Sequence, residues 1–247
     1  MPQVFRLADG RHAVVKFQGN PQGTRAIVND FICCRLARVL GVPLNEAVFV
    51  QVDDRLLREP KASGVCPSEF HAGIHCGLIR HDKATKDGPA SDVLAAADNA
   101  PKLHDIVVFN ELVARDDVIQ LLTYPTEIRG RGGRPVRRFV AYDYGFAFGE
   151  APEWSVESLS GLSGARLPTR DAIGNSYLDG GPQRAVIDAL RGLTKPRIEA
   201  IALEPGLSGW GVTMEEATCL IDTLERRARD LVQQYDILFN PQIEAPL

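Results

Sequence analysis

Three charged side chains in this sequence of 247 residues, one lysine and two aspartates, have types and surroundings suited to a site in which the lysine holds an anion and the acids position it or face a cleft. Lys16 interrupts the apolar, β-branched run "HAVVKF". Strand alternation puts Lys16 on one face with Val14 and turns Val15 to the other. A lysine on a partly buried face needs a carboxylate or a phosphate to offset its desolvation. Asp30 lies about one and a half turns into the helix predicted next, where it can point back at the strand. Asp143, in "RFVAYDYGFAFG", follows an apolar strand and precedes a glycine and two phenylalanines. At such a place a strand delivers a carboxylate to a cleft. On the strand pattern alone, a surface lysine laying its stem along an edge strand is the simpler reading of Lys16.

The elements that must position these residues are legible in outline. "DGR" at Asp9 to Arg11 is a turn signal before the Lys16 strand. Thr24 is placed to cap a helix carrying Ile27, Val28, Phe31, Ile32, Leu36, Val39 and Leu40, which Gly41 and Pro43 end. "AVFVQV" is a further strand, and "DDRLLREPKASG" reads as a boundary between a small N-terminal lobe and the remainder. From Asp92 to Ala114 the pattern is helical. "IQLLTY" and "RRFVAYDYG" then form a hairpin around an Arg/Gly-rich turn. Thr213 and Glu216 have capping-box spacing ahead of a helix with Ala217, Leu220, Ile221, Leu224, Ala228 and Leu231 on one face. "NPQIEAPL" reads as a frayed tail.

In protein kinases a strand lysine paired with a helix acid holds nucleotide phosphates, and a later strand-end Asp binds magnesium. Lys16, Asp30 and Asp143 occur in that chain order, separated by a helical stretch. The chain resembles the HipA-like kinases of bacteria, a distant branch of the protein-kinase fold. The likeness is carried by "HAVVKFQGNPQGTRAIVNDFICCRLARVLGVP", "AGIHCG", "YDYGFAFGEAPEW" with Trp154, and "LSGWGVTMEEATCLIDTLERRARDL". It implies an α+β, two-lobed protein-kinase-like fold. Residues 1–60 would form a small β-rich N-lobe with one helix, and 61–247 a larger, mainly helical C-lobe with the catalytic loop and Asp143 hairpin at 109–149. It further implies that Lys16 contacts ATP phosphates, that Asp30 holds Lys16 in place of the usual Glu, and that Asp143 holds Mg. A bacterial or phage source and a toxin-antitoxin context are the expected setting.

The catalytic loop departs from the family. Such loops carry an Asp for the substrate hydroxyl and, five residues later, an Asn for a second metal. In "VFNELVARDDVIQLLTY", anchoring on Phe109 and on Leu121-Leu122 puts Asp117 at the catalytic place, with Asp116 as the alternate. Gln120 is the nearest amide to the missing Asn. The residues around the Asp have become Arg115 and Val118. "MPQVFRLADG" is short for the glycine-containing segment that covers the phosphates, so either such a segment lies upstream or the roof is absent.

Composition narrows the remaining options. The chain is 45% hydrophobic with a net charge of −4, so it carries no global attraction for nucleic acid or anionic membranes. It has no apolar run long enough to span a bilayer and no signal-peptide pattern, and it is expected in the cytoplasm. Five cysteines without framework spacing fit a reducing compartment. Cys66, His71, His75, Cys76 and His81 lack the paired spacing of structural zinc sites. "RGRGGRPVRR" offers an Arg/Gly segment for nucleic acid, but its place between two strands makes it a solvated hairpin turn. Three functional classes follow: an ATP-dependent kinase acting on a protein hydroxyl at a reduced rate, a pseudokinase that binds nucleotide or a protein partner, and a nucleic-acid binder using the arginine hairpin.

Overall fold

The computed structural model describes residues 3–18, 23–58, 71–87, 92–115, 117–130, 133–149, 153–167 and 184–239. Its strands are β1 (Gln3–Arg6), β2 (His12–Lys16), β3 (Ala47–Val52), β4 (Gly73–Ile79), β5 (Thr85–Asp87), β6 (Leu121–Arg129) and β7 (Pro135–Ala141). The α-helices are α1 (Thr24–Leu40), α2 (Asp54–Arg58), α3 (Asp92–Ala95), α4 (Leu103–Leu112), α5 (Val156–Gly161), α6 (Arg184–Arg191), α7 (Lys195–Ala202), α8 (Pro205–Ser208) and α9 (Met214–Phe239). A small antiparallel N-terminal sheet and a mainly helical C-terminal region make this an α+β architecture.

The N-terminal sheet runs β1-β2-β4-β3, with every neighbouring pair antiparallel. The β1–β2 turn closes through the Leu7 N–H donating to the Arg11 carbonyl at 2.7 Å, with Gly10 at φ 87°, where a glycine meets no steric cost. Lys16 therefore stands on the second strand. The expected boundary at residue 60 does not match this sheet, because β4 begins at Gly73 and lies between β2 and β3. A strand 13 residues beyond the boundary supplies the hydrogen bonds that both neighbours need. The "AGIHCG" motif is this central strand.

Helix α1 packs on the Lys16 face of the sheet and is buried almost all round, which suits a helix held between a sheet and further helices. Thr24 is its first residue rather than its cap. Gly23 takes the cap position at φ 95° and no side chain caps the helix. Gly41 ends it in the left-handed conformation expected of a C-terminal glycine, its N–H turned to the Ala37 and Arg38 carbonyls. Trp210, 1% exposed, bridges the C-terminal helices to this unit. Its indole N–H donates to the Ile74 carbonyl at 2.8 Å, and its ring meets Phe31 edge-on at 5.5 Å.

A second antiparallel sheet, β5-β6-β7, carries the hairpin expected from the sequence. Leu121, Thr123, Phe139 and Ala141 turn one face into the interior. The residues just after α1 attach to the edge of β7: Asn45 N–H donates to the Ala141 carbonyl at 3.0 Å, and Ala141 N–H to that of Pro43 at 2.8 Å. One connection thus fixes the helix bearing Asp30 relative to the strand that leads to Asp143. Helix α9 opens on the expected capping box, with the Glu216 N–H donating to Thr213 Oγ1 at 3.2 Å and the Thr213 N–H to Glu216 Oε2 at 2.8 Å. The expected frayed tail, 240–247, lies outside the described residues.

Candidate active site

Lys16 is the last residue of β2, and register places it opposite Cys76 on the face that packs on α1. Its ammonium bridges two carboxylates, Asp30 Oδ2 at 2.5 Å and Asp143 Oδ1 at 2.7 Å. Asp30 is 1% exposed, whereas Asp143 is 39% exposed. The inner acid anchors the lysine and the outer one faces the cleft. The shorter reach of Asp, compared with Glu, is sufficient because β2 and α1 lie close enough for direct contact.

Burial works against the Lys16 ammonium, but Asp30 and Asp143 together outweigh it and hold its pKa above the ordinary lysine value. Burial lifts the Asp30 carboxyl above its ordinary value, opposed by Lys16 and by the Tyr144 N–H, which donates to Asp30 Oδ1 at 2.7 Å. For Asp143, burial is outweighed by Lys16, Arg115 and a hydrogen bond with Gln120, so its carboxyl sits below the ordinary range. Asp143 stays ionised at neutral pH.

The backbone at Asp143 is held in the left-handed region, φ 63°, at a cost of about 1–3 kcal/mol for a residue with a side chain. Four hydrogen bonds, involving Asp30, Asn110 and Asn29, impose that turn. The Tyr144 N–H is held by Asp30, the Tyr144 hydroxyl donates to Asn110 Oδ1 at 2.7 Å, and Asn29 Nδ2 donates to the carbonyls of Gly145 and Ala147 at 2.8 and 3.0 Å. Trp154 completes the lock by donating its indole N–H to Asn29 Oδ1 at 2.7 Å. Asn29 and Trp154 had no assigned role in the sequence. The signal for Asn29 was a polar pair, Asn29-Asp30, inside an otherwise apolar helix.

Of the residues expected at the site, the structure brings together Lys16, Asp30, Asp143 and Gln120. Asp117 stands apart. It is 42% exposed, its Oδ1 accepts the Val118 N–H at 2.7 Å, and its Oδ2 lies 3.7 Å from Arg115 Nη2. Asp116 lies outside the described residues. Arg115 occupies the space between these groups. Its side chain is fully buried, its guanidinium stacks 4.3 Å over the Tyr144 ring, and Nη2 donates to the Val118 carbonyl at 3.1 Å. Ala114, just before it, takes a left-handed φ of 48°, and the Phe148 and Gly149 N–H groups dock on the Val113 and Ala114 carbonyls. The segment after Asp143 and the loop after α4 are thus stitched together.

Among the described residues no group of three or more His, Cys, Asp and Glu side chains could hold a metal alone. His75 and Cys76 are consecutive on β4 and face opposite sides. His75 Nε2 donates to the His71 carbonyl at 2.8 Å under the Phe17 ring, and burial lowers its pKa. Cys66 lies outside the described residues. Burial raises the thiol pKa of Cys33, Cys34 and Cys76, which keeps these core thiols protonated. The arginine hairpin projects from β6 and β7. Arg138 pairs with Asp98 at 2.8 Å, Arg137 donates to Thr85 and Thr123, and Arg129 and Arg134 are exposed. Arg131 lies outside the described residues. No helix among the described residues is long and apolar enough to cross a membrane.

The fold is kinase-like. The crystal structure of the Helicobacter pylori proinflammatory kinase CtkA is similar to this chain, with a TM-score of 0.59 over 99% of this chain and 93% of that one, at 10% sequence identity. At that identity the likeness establishes the fold and not the HipA-like family. No protein-family model matches the sequence, and no curated protein matches it.

Proposed function

We propose that this chain is a HipA-like serine/threonine protein kinase that binds ATP with magnesium and transfers phosphate to a protein hydroxyl. The observation that carries the reading is Lys16 bridging Asp30 and Asp143, with Asp143 half-buried and held in a left-handed turn by interactions on three sides. Lys16 binds the phosphates. Asp30 keeps Lys16 extended and charged. Asp143, with the Gln120 amide beside it, would hold magnesium, which needs one or two protein oxygens and takes the rest of its shell from phosphate and water. The lack of an all-protein metal cage among the described residues is compatible with that ion. Magnesium would neutralise charge on the transferring phosphoryl group.

The position of Asp117 favours a second reading, a pseudokinase. Its carboxylate is engaged by the Val118 N–H and faces Arg115, and a positioned general base is typically worth about 10²- to 10⁴-fold in rate. A protein that binds nucleotide through Lys16 and Asp143 without turnover would act as a regulatory module.

The test is the melting temperature with and without ATP and magnesium for the wild-type protein, Lys16→Ala and Asp143→Asn. Ligand at 100 times its dissociation constant stabilises the fold by about 2.7 kcal/mol. A magnesium-dependent rise lost in both variants is expected, and no rise at millimolar nucleotide would sink the kinase reading and leave the fold as a scaffold for a protein partner. Autophosphorylation with labelled ATP, abolished by Asp143→Asn, then separates kinase from pseudokinase.

A further inference from the structure

Helix α1 carries Asp30, so whatever fixes the rotation of that helix also fixes the acid that holds Lys16. Arg25 stands in its first turn, five residues before Asp30. Its Nη2 donates to Glu216 Oε1, at the start of α9, at 2.6 Å, and the two side chains are only 11% and 15% exposed. The same guanidinium lies over the Trp154 ring, 4.7 Å from its centroid. Trp154 is buried and donates its indole N–H to Asn29 Oδ1. Arg25 and Asn29 are four residues apart and so are neighbours on one face of α1. Contacts therefore run in a closed ring, from Arg25 to Trp154, from Trp154 to Asn29, and back along one turn of helix. Asp30 is the next residue after that ring.

The packing beneath this face is tight. A methyl group at Gly145 would lie 3.3 Å from the Ala26 Cβ, so the first turn of α1 sits directly on the segment that follows Asp143. No side-chain hydrogen bond caps the start of α1, which leaves its first turn dependent on tertiary contacts. Farther along the helix Arg35 Nε lies 3.4 Å from Glu204 Oε1, with the two side chains 25% and 27% exposed. Water screens that pair more than it does Arg25 and Glu216, which makes Arg25 the stronger tie of the two.

We propose that Arg25 is a positioning residue for the Lys16–Asp30 pair, holding the rotation of α1 through Glu216 and Trp154 so that Asp30 meets the lysine. The proposal rests on the nucleotide reading above, because its consequence is an ammonium set in place for phosphate. The test is calorimetric titration of magnesium-ATP and, separately, of adenosine into the wild-type protein, Arg25→Gln and Glu216→Gln. The second variant breaks the same pair from α9 while keeping an amide oxygen for the capping box. Lys195→Gln serves as a control that removes a different ion pair on α9, Lys195 with Asp222 at 2.6 Å. Melting curves fix a titration temperature at which every variant is folded. Arg25→Gln and Glu216→Gln should each bind magnesium-ATP roughly fivefold more weakly with adenosine unchanged, and Lys195→Gln should match the wild type for both ligands. Equal ATP affinity in Arg25→Gln and wild type would overturn the proposal. So would an equal loss for ATP and adenosine, or a loss of the same size in Lys195→Gln, since either would make Arg25 one more contact that merely stabilises the fold. A wild-type protein that binds no magnesium-ATP overturns the nucleotide reading, and this proposal with it, before any variant is compared.

Discussion

Replacing Lys16 by methionine would remove the ammonium that faces both Asp30 and Asp143 while keeping most of the side-chain volume, so its effect is chiefly electrostatic. The Asp30 carboxylate would remain 1% exposed, with the Tyr144 N–H as its partner. Removing one member of a buried ion pair typically costs about 3–5 kcal/mol. Water reaches Asp143, which is 39% exposed, so the outer arm contributes little and the low end, about 3 kcal/mol, is expected. For a chain of this size that lowers the melting temperature by roughly 6–12 °C. Adding Asp30→Asn removes the stranded charge, and the double variant should be more stable than the sum of the single losses by at least about 1.5 kcal/mol.

Acidity provides an independent check on the same pair. Burial holds the Asp30 carboxyl above its ordinary value of 3.8, and losing Lys16 removes the main opposing influence. With the folded value above the unfolded one, the folded state binds more protons. The penalty in Lys16→Met is then complete above the folded pKa and shrinks as pH falls through it. Urea unfolding of the wild type and all three variants at pH 7.5 and 5.5 measures both effects. Additive single losses, or a Lys16→Met protein as stable as wild type at pH 7.5, would refute the buried pair. A deficit that grew on acidification would refute the charge assignment.

Asn29→Ala leaves the Gly145 and Ala147 carbonyls and the Trp154 indole N–H without their partner. At about 1–3 kcal/mol for a buried orphaned group, a loss near 3 kcal/mol is expected. Limited proteolysis should cut faster within 145–149, and wild-type cleavage rates there would refute the lock. Burial works against ionised Glu216, but bonds from Thr213 and the nearby Arg25 prevail and hold its carboxyl below the ordinary 4.5. Its contribution is therefore complete above pH 4.5 and is lost as pH falls through the lowered folded value. Thr213→Ala should cost about 1 kcal/mol at pH 7, and the gap to wild type should narrow in acid. A gap independent of pH between 7 and 3 would rule out the capping box as its source.

The sequence by itself determined the local elements and the three charged positions. Alternation fixed the face of Lys16, and the glycine and proline after Leu40 fixed where α1 ends. The spacing of Thr213 and Glu216 fixed the start of α9. Each is a property of neighbouring residues, readable from covalent geometry and hydrophobic period. Only the tertiary structure decided which distant segments meet. The strand at Gly73–Ile79 joined the first sheet because β2 and β3 each needed a hydrogen-bonding neighbour, which no local pattern between residues 60 and 73 reveals. Gly23 displaced Thr24 as the cap for a similar reason: the entry to α1 is set by packing around it as well as by its own preference. Gln120 came to lie against Asp143, and Asp117 turned toward Arg115, because a buried guanidinium stacked on Tyr144 organises that loop. The cation there holds the Val118 carbonyl, lies near Asp117 and acts through space on Asp143. Its consequences depend on long-range contacts that sequence spacing does not encode.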